Sequence, residues 1–69
     1  MIVFDKLWEI MKEKGFSQYR LIDKHGIDGK TITRLKRNMN TETKTLDRIC
    51  AILDCKLEDI ATYVKDKDE

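Results

Sequence analysis

The sequence predicts an all-α fold, one small domain of five short helices with a sharp corner between helices two and three. Three observations predict it. Apolar residues recur at i, i+3, i+4 and i+7 in two stretches, Phe4–Leu7–Trp8–Met11 and Leu46–Ile49–Cys50–Leu53, which is the stripe of an amphipathic helix. Proline is absent, and the three glycines, Gly15, Gly26 and Gly29, fall near expected helix ends. Between Ser17 and Leu35 two helix starts follow one another, each with a capping residue and an apolar residue just before it.

Helix one is expected from about Phe4 to Lys14, with Ile10 widening its stripe and Gly15 stopping it. Helix two covers roughly Gln18 to Lys24, with Leu21 and Ile22 facing inward. Ser17 caps it, and Phe16 pairs with Leu21 as a hydrophobic staple. Gly26 suits the one residue of the turn that must take positive φ. Helix three runs from about Gly29 to Arg37, capped by Asp28, stapled by Ile27 and Ile32, with Ile32 and Leu35 inward. The loop Asn38–Met39–Asn40 is rich in turn formers. Helix four starts near Thr41 to Thr43, where a hydroxyl can cap it. Helix five is short, about Leu57 to Val64, with Leu57, Ile60, Ala61 and Val64 on one side. The domain spans 1–64, and residues 65–69 form a charged tail without apolar content, expected to be disordered.

At 69 residues the core supplies only about 3–5 kcal/mol, which leaves little for a buried catalytic cleft. No paired carboxylates, nucleophile–base pair or phosphate loop is visible, so the chain is not expected to be an enzyme. It has no apolar run of membrane-spanning length and no signal-peptide pattern. Cys50 and Cys55 cannot close a tetrahedral zinc site, and the lone His25 lies in the turn, so no metal or cofactor is implied. Both thiols read as small core hydrophobes in a reducing, cytoplasmic setting. Net charge is +1, but its distribution is uneven. Residues 1–23 are neutral, 24–57 carry +4, and 58–69 carry −3. Lys30, Arg34, Lys36 and Arg37 fall between Gly29 and Thr41 with no acid among them, a modest basic footprint.

The ordered set Ser17-Gln18, Leu21, Gly26-Ile27, Ile32, Leu35, Thr45-Leu46, Ile49-Cys50, Leu53 and Asp59-Ile60 resembles the lambda-repressor-like, Cro-type helix-turn-helix transcriptional regulators, the xenobiotic-response-element family. The resemblance covers roughly residues 4–64. Two positions depart from the pattern. Ile22 stands where the family often has alanine, and Gly29 stands in the first turn of the recognition helix, where a side chain often reads or positions.

The resemblance implies that helix three, residues 29–37, enters the major groove of double-stranded DNA and that helix two lies across the backbone. Gln18 then falls where the family contacts phosphate and braces the recognition helix. Asp28, Lys30 and Thr31 sit at the start of that helix, with Lys30 at base edges, and Thr33 and Arg34 lie one turn on. Lys30 and Arg34 share a face by their i, i+4 spacing. Arg34 is the best candidate for bidentate readout of guanine, and Thr33 for hydrogen bonding or a thymine methyl. Lys36, Arg37 and Asn38 follow along phosphates, and Lys44 offers another phosphate contact near the start of helix four.

These readings converge on a sequence-specific DNA-binding transcriptional regulator working as a homodimer, with Tyr63 and Val64 at the outer end of helix five sealing the interface. Neither a membrane nor a small-molecule ligand is implied. The alternative is a protein-interaction or antitoxin-like accessory module on the same fold with weak DNA binding, which the low net charge and Gly29 favour.

Overall fold

A computed structural model describes residues 1–65. The element order is β1 (Ile2–Val3), α1 (Asp5–Glu13), α2 (Gln18–His25), α3 (Gly29–Lys36), α4 (Thr43–Leu53), a single 3₁₀ turn (Leu57–Asp59) and β2 (Thr62–Tyr63). Four α-helices form around one core, in place of the five expected. Phe4, Leu7 and Met11 meet Leu21, Ile27, Ile32 and Leu35 from the corner, and Leu46, Ile49, Leu53 and Ile60 from the other side.

The corner between α2 and α3 follows from its caps. The Ser17 hydroxyl accepts from the Arg20 N–H at 3.1 Å, and the Asp28 carboxylate accepts from the Lys30 N–H at 2.9 Å. Each satisfies a donor that the helix start leaves orphaned, worth about 1 kcal/mol. Between them Gly26 takes φ 68°, and both its own N–H and that of Ile27 reach back to the Leu21 carbonyl. Leu21 and Ile32, the inner partners of the two staples, are buried, and so is Ile27. Phe16 is half-buried, with the Arg20 guanidinium 4.6 Å from its ring centre. Arg48 on α4 donates to the His25 carbonyl at 2.6 Å, so a cation from another helix closes the negative end of α2.

Helices α1, α3 and α4 end alike. In each, a residue in the left-handed region (Gly15 φ 73°, Asn38 φ 55°, Asp54 φ 51°) turns the chain back. The N–H after it then bonds a carbonyl five residues earlier: Phe16 to Met11 at 2.8 Å, Met39 to Arg34 at 2.9 Å, Cys55 to Cys50 at 3.1 Å. This is the Schellman motif, which brings the side chains of the two bonded residues together.

The C-terminal region corrects the expected fifth helix. Leu57–Asp59 makes only one 3₁₀ turn, held by the Asp59 carboxylate accepting from the Lys56 N–H at 2.9 Å. The chain then extends, and β2 pairs antiparallel with β1, Ile2 opposite Tyr63 and Val3 opposite Thr62. Two causes act together. An isolated helix of eight residues is marginal, and Thr62, Tyr63 and Val64 favour extended backbone once a partner strand is present. Ile60 is buried as expected, but Leu57 is 55% exposed, and Tyr63 and Val64 lie in or beside a strand rather than at a helix end. Three smaller expectations also change. Ile22 is exposed rather than inward. Helix four is preceded by Glu42, whose side chain makes no capping bond, while the Thr41 hydroxyl donates to the Met39 carbonyl at 3.3 Å. Helix one begins at Asp5, leaving Phe4 as its flanking residue. Of the expected tail, 66–69 lies outside the described residues.

Candidate nucleic-acid interface

Helix α3 is amphipathic in a way that divides its residues cleanly. Ile32 and Leu35 point into the core, which turns Lys30, Thr33, Arg34 and Arg37 outward. These four line one shallow open groove together with Met39 from the following loop. The sequence grouping of Lys30, Thr33 and Arg34 is therefore a spatial grouping as well. Arg37 joins them rather than standing apart with Lys36.

The groove is cationic because Lys30, Arg34 and Arg37 line it and no acid does. Asp28 is engaged at the helix start, where its charge favours the positive end of the α3 dipole. The Thr33 hydroxyl donates to the Gly29 carbonyl at 3.2 Å, leaving its lone pairs and methyl group outward. A Cβ at Gly29 would meet the Ile22 δ-methyl at 3.9 Å, an ordinary contact. The two departures from the family pattern thus face each other. The backbone there is open to solvent on its other side.

The remaining candidates sit elsewhere. Gln18 is half-buried at the start of α2, in a separate groove with Trp8, Met11, Lys12, Phe16 and Ser17. Thr31 is half-buried, and Lys36 and Lys44 are exposed, Lys44 in the first turn of α4. Asn38 has a task that the sequence did not disclose. Its side-chain oxygen accepts from the Phe4 N–H at 2.8 Å, fastening the end of α3 to the entry of α1. Met39 carries no signal in the sequence beyond its place in a loop, and the turn geometry brings it into the groove of Arg34.

The two thiols are free and half-buried. Burial, the neighbouring Cys50 and, more weakly, Asp59 push the Cys55 thiol up to about 11. A thiol held protonated is a poor nucleophile and a poor metal ligand at neutral pH. Among the described residues no group of three or more His, Cys, Asp or Glu is placed to hold a metal ion, and no helix is long and apolar enough to cross a membrane.

A capped two-helix corner that turns a cationic groove outward defines a helix-turn-helix domain. The chain belongs to the Cro/C1-type helix-turn-helix DNA-binding domain family, whose model matches residues 6–66. The crystal structure of the transcriptional regulator VanUg, in its second crystal form, is similar to it, with a TM-score of 0.86 and 25% sequence identity over 94% of this chain and 87% of that one. No curated protein matches the sequence.

Proposed function

We propose that the protein is a sequence-specific transcriptional regulator that seats α3 in the major groove. The observation that carries this reading is the groove of Lys30, Thr33, Arg34 and Arg37 on the outer face of a helix fixed at both ends. Arg34 reads guanine through O6 and N7, and Lys30 reaches base edges from the first turn. Arg37 and Lys36 hold phosphates, as do Lys44 at the start of α4 and Gln18 at the start of α2, and these contacts set register without reading sequence. Asp28 acts from behind, by holding the helix start, and Thr31 supports the same turn.

A single recognition helix reads few base pairs, so the protein works as a homodimer on a pseudo-palindrome with half-sites about 34–36 Å apart. The surface proposed for the contact is the groove beside the two-stranded sheet, where Ile2, Leu57, Ala61 and Tyr63 stand with Glu58 and Thr62 next to the exposed Val64. The same surface favours the second reading, an accessory module that docks a protein partner there and binds DNA weakly.

Titrating binding to random duplex DNA against salt separates the two. A log–log slope equivalent to several phosphates supports the regulator, and a flat response supports the accessory module. Sedimentation with and without DNA tests the dimer, and a monomer in both states on a single half-site rules it out.

A further inference from the structure

We propose that Met39 is a specificity-determining residue that reads thymine through its 5-methyl group, an inference that rests on the DNA-binding reading above. The Schellman motif at the end of α3 brings Met39 to the groove of Arg34: the Met39 N–H bonds the Arg34 carbonyl at 2.9 Å, and both residues line the groove. In this motif the two side chains so joined are commonly both apolar and cover each other. At the end of α1 the pair is Phe16 and Met11, and both are at least half-buried. At the end of α3 the partner is an exposed arginine, so the motif delivers a thioether to the outer surface, 48% exposed, beside the strongest candidate for guanine readout.

The position is held rather than loose. Asn38 is locked at φ 55° and bonded to the Phe4 N–H, and the Met39 carbonyl accepts from the Thr41 hydroxyl at 3.3 Å. Every other residue lining this groove hydrogen-bonds or carries charge, and each has something to offer a phosphate or a base edge. A thioether offers a phosphate almost nothing. Its gain on a nucleic acid comes from apolar contact, and the apolar group that the major groove presents is the thymine methyl. Methionine is also the side chain best able to bend toward such a group from a neighbouring loop. Arg34 and Met39 together then read a short step in which a guanine lies near a thymine.

The test uses a duplex selected from random DNA by the full chain. Each thymine is replaced singly by deoxyuridine, which removes only the methyl group, and each guanine by 7-deazaguanine, which removes N7. With the unaltered protein, one or two deoxyuridine positions should weaken binding about fourfold, the worth of one buried methyl group. Met39→Ala and Met39→Gln should abolish that sensitivity and keep the 7-deazaguanine response. Circular dichroism of both variants confirms that the fold is kept. A deoxyuridine scan without effect, or one whose every penalty persists in both variants, overturns the role of Met39 while a 7-deazaguanine response leaves the DNA-binding reading standing. If no duplex is retained from the random pool, the DNA-binding reading falls, and this inference with it.

Discussion

The ends of α3 and α4 share one backbone motif and differ in almost everything that hangs on it. At α3 the motif joins Arg34 to Met39 around Asn38, and the arginine and methionine are exposed on a cationic groove. At α4 it joins Cys50 to Cys55 around Asp54, and the two thiols lie half-buried against the core. The left-handed residue differs too. Asn38 also anchors α1 through its side chain, whereas Asp54 is exposed in the same backbone conformation. The same turn therefore presents exposed side chains on a cationic groove in one place and closes a core in the other. What decides between them is the pair of side chains at its two bonded positions.

The largest effect expected from this contrast is on stability. Asn38→Ala removes the acceptor of the Phe4 N–H and puts a side chain poorly suited to positive φ at the turn, and should lower unfolding free energy by about 2–3 kcal/mol in urea titration. Asn38→Gly relieves the left-handed backbone but leaves the Phe4 N–H without its acceptor, so it should still destabilise, by up to about 1 kcal/mol. A glycine variant more stable than the original, as is expected at Asp54, would mean that the bond to Phe4 contributes nothing. Arg34→Ala should leave stability unchanged and weaken the preferred DNA site by roughly 1–3 kcal/mol, relaxing choice at one base pair, while Arg37→Ala weakens all sequences alike and lowers the salt slope by about 1. Equal losses on preferred and random DNA for both variants would remove the reading role from α3.

The effect at Asp54 has the opposite sign. Asp54→Gly relieves the left-handed strain at the end of α4 without removing an anchor, and should raise stability by up to about 1 kcal/mol. A fall comparable to that of Asn38→Gly would erase the contrast between the two turns. The smallest effect is confined to alkaline solution. The folded state raises the Cys55 thiol above its ordinary value of 9.0, to about 11, and so favours the protonated form. Its contribution is complete below about pH 9 and is lost as pH rises toward 11, because the unfolded chain then releases a proton that the folded chain retains. Cys55→Ala should show a flatter decline of melting temperature over that window. Identical slopes would mean that Cys55 titrates as it does in the unfolded chain.

What was legible in the sequence was what is local. Ser17, Gly26 and Asp28 act on partners within a few residues, so the caps and the turn were readable from spacing alone, and so was the outward pairing of Lys30 with Arg34. The exposed Ile22 stands next to the buried Leu21, and two adjacent apolar residues leave periodicity nothing to choose between them. The second strand was illegible because its partner is at the other end of the chain. Residues 57–64 carry a helical spacing of apolar groups, and only the presence of Ile2–Val3 makes the extended form better. Asn38 reads as a turn former and is one, but its bond to Phe4 spans 34 positions and leaves no pattern behind. Met39 is hidden for a different reason: its bond to the Arg34 carbonyl is local, but it forms only because Asn38 takes positive φ, which the composition of the loop does not announce.

The bond between Asn38 and Phe4 also makes the entry of α1 a reporter of α3. Deuterium enters the Phe4 amide only when the Asn38 side chain lets go, so its protection measures how often the end of α3 opens. A ligand that braces that turn from the outside must slow this exchange, by linkage, at a backbone site it never touches. Isotope uptake at a single amide near the start of the chain would thus register occupancy of a helix whose end is anchored 34 residues away.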